Sequence, residues 1–203
     1  NGLPVVTFDG VDDAMKFTTR MSGTIRAVFM VFRESEIAPQ SSWLLGDAST
    51  RDFYPGPTAL WYGHSGFTSP SVLLGQTWLN GAAVDGTVTN RPKTMSVLSI
   101  LTTAGVTADR LFDGYGASNL KGDIAELILY TEPLTSSQRK SVEDYLALKY
   151  APYVGTAGAP EFTPSGGVFL ESVLVAMRSP TPGAIVRFTT DGMVRRSSAG
   201  SAV

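Results

Sequence analysis

Residues 24–32, Thr-Ile-Arg-Ala-Val-Phe-Met-Val-Phe, limit the fold more than any other stretch of the chain. In an extended backbone successive side chains leave on opposite sides. Ile25, Ala27, Phe29 and Val31 then fall on one face, and Val28, Met30 and Phe32 on the other. Both faces are apolar, so the segment reads as a central strand covered from above and below.

The rest of the chain supplies strands of the same length. Lys93–Thr103 and Gly122–Tyr130 are extended apolar runs bounded by Gly or Pro signals. In Ser71–Gly86 the pair Asn80-Gly81 accepts the positive φ of a two-residue hairpin turn, which predicts a hairpin between two extended runs. With 21 Gly, 12 Pro and apolar stretches this short, the chain reads as an all-β protein rather than a helical one.

One helix is expected, over residues 135–150. Thr135 and Gln138 fit the S/T-x-x-E/Q capping box, and Val142, Tyr145, Leu146 and Lys149 follow the i, i+3, i+4, i+7 spacing, with Pro152 as the stop. A single amphipathic helix is stable only when its stripe docks on something else, so this one is an end-cap on the sheet. The Gly/Ala/Pro stretch that follows has no periodicity and reads as a linker, 153–159, between a domain at 1–152 and a shorter β unit at 160–203.

Charge and composition narrow the functions. With 16 Lys+Arg against 18 Asp+Glu, no basic field exists to hold a nucleic-acid backbone or an anionic membrane. No apolar run approaches the ~20 residues of a membrane span, so membrane insertion is not expected. The opening Asn-Gly-Leu-Pro-Val-Val reads as the start of a mature or excised piece. Cysteine is absent, which removes disulfides, thiolate metal sites and cysteine nucleophiles together.

Three clusters could carry chemistry. Residues 51–66 gather Arg51, Asp52, Tyr54, Trp61, Tyr62 and His64 among glycines and prolines. Aromatic faces stack on sugar C–H surfaces while Asp, Arg and His hydrogen-bond hydroxyls, as a glycan site requires. The same stretch also admits Trp61 and Tyr62 as core residues beneath a solvated loop. Asp9, Asp12 and Asp13 are oxygen donors of the kind calcium selects, or simply turn formers. Asp123 and Glu126 could be an acid/base pair, but three apart in a strand they are expected on opposite faces, so a non-enzymatic role is the expectation. His64 is the sole histidine and no Gly-x-Ser-x-Gly elbow accompanies it.

Several motifs carry a family resemblance: Phe8–Asp13, Trp43–Asp47, Gly75–Thr87, Ser96–Leu111 and Gly122–Tyr150. Together they resemble the laminin-G-like, concanavalin A-like jelly-roll modules of large extracellular bacterial proteins. The tail Pro160–Gly192 resembles the start of the immunoglobulin-like module at the C-terminus of chitobiase-type hexosaminidases, with Phe188 where such modules carry Tyr. The resemblance implies a jelly-roll sandwich with one capping helix and a partial immunoglobulin-like β domain. It also implies a structural calcium between first and last strand, held by Asp12, Asp13 and Asp123, and an extracellular or cell-surface location. Retaining glycosidases of that fold carry Glu-x-Asp-x-x-Glu, which does not occur here. The expected function is therefore glycan binding or adhesion beside the other domains of a parent protein. The rival is a structural module of a filament or stalk.

Overall fold

A computed structural model describes residues 3–36, 41–64, 66–115, 119–150, 159–168 and 171–179. The protein is mostly β. The chain divides into two compact units, Asn1–Pro152 and Tyr153–Val203.

The first unit is built on one large antiparallel sheet. Its strands are β1 (Val6–Asp9), β2 (Met15–Glu34), β3 (Leu45–Gly46), β4 (Gln76–Leu79), β5 (Ala82–Val84), β6 (Ser96–Leu111) and β7 (Lys121–Tyr130). They run in the order β1-β7-β2-β6-β4-β5, with β3 joined to β6. The 24–32 segment is in the middle of this order, as its two apolar faces require. Val28, Met30 and Phe32 enter a core with Trp43, Leu45, Phe53, Leu60 and Leu98, beneath the long 41–75 segment. Ala27, Phe29 and Val31 enter a second cluster on the opposite face, covered by α2 (Ser136–Tyr150) through Val142 and Leu146.

Ile25 departs from the alternation. It packs with Val28 and Met30 rather than with Ala27. The register between β2 and β6 jumps from Ile25↔Val106 to Ala27↔Leu101, and this irregularity reverses which side a residue faces. A second irregularity, in β7, overturns the expectation for Asp123 and Glu126. Val31 pairs with Glu126 but Phe32 pairs with Ile124. The extra residue, Ala125, turns toward the helix side together with Glu126, while Ile124 points into the core beneath the loops. Asp123, on the other side from Ile124, therefore shares the helix-side face with Glu126. The two carboxylates still go to different partners, described below.

The Asn80-Gly81 hairpin forms as read: φ is 52° at Asn80 and 79° at Gly81, and Leu79 pairs with Ala82. Its first arm is not extended throughout. Pro70–Leu73 is a helical turn, α1, capped by Ser69, whose side chain accepts from the Ser71 N–H. Pro70 supplies the pre-set φ of a first helical position.

The capping box at α2 is present, with the Thr135 N–H donating to Gln138 Oε1 at 2.9 Å and the Gln138 N–H to Thr135 Oγ1 at 3.3 Å. The buried stripe is rotated from the expected one. Leu146 is fully buried and Val142 packs beside it, but Tyr145 is 47% exposed and Lys149 is at the surface. Arg139 and Glu143 take their places on the sheet side. They are ion-paired to each other, and the Arg139 guanidinium lies 4.0 Å from the ring centre of Trp78. A charged pair on a tryptophan face does not register as apolar, so hydrophobic spacing finds Val142 and Leu146 but misses the Arg139/Glu143 half of the docked face.

In the second unit β8 (Glu161–Thr163) pairs with β9 (Ala176–Arg178), Phe162 opposite Met177, and Arg178 bridges to Glu161 at 2.8 Å. The Phe188–Gly192 corner and linker residues 153–158 lie outside the described residues.

Candidate functional site

The 41–75 segment does two jobs: its apolar residues roof the core, and its polar edge carries an aromatic cluster. Arg91 holds it in place. This side chain is almost wholly buried and donates Nη1 to the carbonyls of Gly56 (3.1 Å) and Ala59 (2.8 Å), and Nη2 to that of Pro57 (3.2 Å). Its Nε donates to Glu34 Oε1 at 2.6 Å. The Thr107 N–H donates to Asp52 Oδ2 at 2.8 Å and the Ser69 N–H to the Asp52 carbonyl at 3.1 Å, which ties the other end of the loop to β6.

Within this frame the rings of Tyr54, Tyr62, His64 and Phe67 cluster, edge to face for Tyr54–Tyr62, Tyr62–Phe67 and His64–Phe67 and tilted for Tyr54–Phe67 and Tyr62–His64. Ring centres are separated by 5.1 Å for Tyr54–Phe67, 5.2 Å for Tyr62–Phe67, 6.2 Å for Tyr54–Tyr62 and 6.3 Å for Tyr62–His64. The Tyr62 N–H donates to the Tyr54 carbonyl at 3.0 Å and Thr68 Oγ1 to the same oxygen at 2.8 Å, which fixes the backbone that carries the rings. Tyr54 and Tyr62 are half-buried, while His64 and Phe67 are exposed. Arg51 is set among the rings, its guanidinium carbon 5.8 Å from Tyr54, 5.4 Å from Phe67 and 5.0 Å from Tyr115. The result is a preformed aromatic surface with one cation in it.

Of the six residues expected to bind a glycan, Arg51, Tyr54, Tyr62 and His64 meet here. Trp61 does not: it is 2% exposed, 5.9 Å from Phe53 between ring centres, inside the core. The expectation that its indole stacks on a ligand is corrected accordingly. The cause is a distant glycine, since a Cβ on Gly86 would come within 2.3 Å of Trp61 Cδ1, and only its absence lets the indole lie there. Asp52 is likewise a scaffold residue, its carboxylate engaged by the Thr107 N–H. Phe67 and Tyr115 belong to the surface and were not among the expected residues. Phe67 lies one residue beyond the 51–66 stretch, and Tyr115 comes from a loop 61 positions after Tyr54, which no local pattern could link to it.

Among the acidic residues, the carboxylates of Asp9, Asp12 and Asp13 come within 4.8 Å of one another. Asp9 ends β1, and Asp12 and Asp13 follow in a turn where the Val11 N–H donates to Asp9 Oδ1 (2.8 Å) and the Asp9 N–H to Asp13 Oδ2 (2.9 Å). An all-oxygen donor set of this kind suits a hard cation such as calcium. Asp123 is not part of it. It pairs across β1–β7 with Thr7, whose Oγ1 donates to Oδ1 at 2.6 Å, and Arg33 Nε donates to Oδ2 at 2.5 Å. Asp123 instead lines a cleft of about 460 Å³ with Arg33, Glu34, Lys93 and Lys121. Burial works to raise the Asp123 pKa, but the bonds from Thr7 and Arg33 and the Arg33 charge outweigh it and leave it lowered. Glu126 accepts from Lys149 Nζ at 2.9 Å and serves to hold α2.

Compared with family models, with curated proteins and with solved structures, the chain matches none.

Proposed function

We propose that the first unit is a non-catalytic carbohydrate-binding or adhesion module that holds a larger extracellular bacterial protein to polysaccharide. Its fold in this reading is a laminin-G-like, concanavalin A-like jelly-roll sandwich, and the tail is the start of an immunoglobulin-like β domain. The observation that supports it is the aromatic cluster of half-buried Tyr54 and Tyr62 with exposed His64 and Phe67, whose rings pack on one another over a loop backbone held by its own hydrogen bonds. Pre-ordered rings lose little entropy on binding and offer C–H stacking faces. A non-catalytic role fits the separate partners of the acidic residues, since Asp123 is engaged by Thr7 and Arg33 and Glu126 by Lys149. Calcium held by Asp9, Asp12 and Asp13 is proposed as a structural ion.

A second reading, a strand-mediated assembly module of a filament or stalk, draws on one feature. β1 is an end strand of the sheet, and Val6 at its start and Leu3 and Val5 just before it are exposed.

A glycan-array screen of the full chain beside Tyr62→Ala and Phe67→Ala decides between them. Retention of at least one glycan by the parent, reduced ~10-fold or more in both variants at unchanged melting temperature, supports the binding module. Absence of any bound glycan, with reversible self-association of the parent, supports assembly instead.

A further inference from the structure

Arg51 differs from every other arginine among the described residues. Arg20, Arg33, Arg91, Arg110, Arg139 and Arg178 each have a carboxylate partner, and Arg26 donates to the carbonyls of Thr102 and Thr103. Among the described residues Arg51 has neither a carboxylate nor a carbonyl partner for its guanidinium. It is half-buried among Tyr54, Phe67 and Tyr115, and its immediate neighbour Asp52 is turned away onto the Thr107 N–H.

Ring faces hold a guanidinium in position but do not use its N–H donors, which need an acceptor in the plane of the group. A planar cation partly stripped of water, fixed by stacking and lacking a counter-charge, is prepared for a bidentate oxyanion. The surrounding aromatic surface suits a sugar ring. We propose that this surface recognises an anionic polysaccharide, with Arg51 binding the carboxylate or sulfate of a sugar that stacks on Tyr62 or Phe67. This rests on the glycan-binding reading above and specifies its substrate class. The chain's net charge of −2 makes bulk attraction of a polyanion a poor alternative, so selectivity has to come from this one group.

The test is retention of the full chain in affinity electrophoresis through gels containing polygalacturonate (carboxylated), dextran sulfate (sulfated) or laminarin (neutral). The parent should be retarded by one anionic polymer and not by laminarin, and which of the two retards it tells carboxylate from sulfate. Arg51→Gln should lose that retardation by about tenfold to a hundredfold, the range for a charge-assisted hydrogen bond. Arg51→Lys, which keeps the charge but not the fork, should retain part of it. Lys140→Gln, on the far helix, should behave as the parent, and melting temperatures check that all variants are folded. Equal retardation of parent and Arg51→Gln overturns the role of Arg51. Retardation by laminarin as strong as by the polyanions overturns the anionic class but leaves glycan binding standing. No retardation in any gel overturns both.

Discussion

Arg91 donates its Nε–H to Glu34 Oε1 at 2.6 Å, and the two side chains are 2% and 5% exposed. Glu34 is the last residue of β2, and Arg91 is in the connection that leads into β6. With the carbonyls of Gly56, Pro57 and Ala59 on its other nitrogens, Arg91 uses four of its five donors to fasten the aromatic-bearing loop to the end of the central strand. Lys93 covers the second Glu34 oxygen at 2.8 Å.

Arg91→Met should therefore be costly in two ways: it leaves Glu34 buried with only Lys93, and it releases three carbonyls. Removing one partner of a buried pair costs about 3–5 kcal/mol. Urea denaturation should register a loss of that size, with a matching loss of protection of the 56–59 amides in hydrogen exchange. A midpoint within about 0.5 M of the parent's, roughly 1 kcal/mol at the usual urea slope, would count against this role.

On α2, Leu146→Ala should destabilise by about 2–5 kcal/mol, as expected for a fully buried leucine. Leu148→Ala, two residues on and largely exposed, should stay within about 0.5 kcal/mol. Equal melting temperatures for the two variants would show that α2 does not dock by this face.

Trp61→Ala should lower the melting temperature steeply, since truncating a buried tryptophan costs about 3–5 kcal/mol. Tyr62→Ala, on the surface side of the same loop, should leave it nearly unchanged while weakening glycan retention. Differential scanning calorimetry of the pair separates core from surface, and a Trp61→Ala protein as stable as the parent would place that indole outside the core.

Acid should destabilise the protein through Asp47 and Asp123. The Arg20 hydrogen bond, joined by the N–H groups of Ser49 and Thr50, holds the Asp47 carboxyl well below the usual carboxylate range, and Asp123 is lowered too. Folded pKa values below the unfolded value, about 3.9, mean stabilisation that is present above that pH and lost as pH falls below it toward the folded values. Asp47→Asn should be less stable at pH 7 and show a flatter melting temperature between about pH 4 and 2 than the parent. Parallel curves for the two proteins refute the linkage.

If Asp9, Asp12 and Asp13 hold calcium, chelation should lower stability by about 2.7 kcal/mol relative to a hundredfold excess of the ion over its dissociation constant. Asp12→Asn should abolish the difference, whereas Asp123→Asn should lower stability with and without chelator and leave the calcium effect intact. A parent melt indifferent to calcium and chelator removes the ion from the description.

What the sequence determined by itself was local. Apolar residues on both faces of 24–32 require a strand covered on both sides, Asn80-Gly81 specifies its turn through backbone conformation, and Thr135 with Gln138 marks a helix start through neighbouring N–H groups. Each signal is complete within a few residues, so each is readable without knowing where the chain goes next. Tertiary structure decided whatever depended on distant partners. The β7 irregularity puts Asp123 and Glu126 on one face because of the β2 register, and Gly86 makes room for Trp61 in the core. Trp78 receives Arg139 on the buried side of α2, and Tyr115 joins Arg51 from another loop. Burial and charge pairing belong to pairs of residues many positions apart, and an aromatic or charged side chain suits surface and interior alike until its partner is in place.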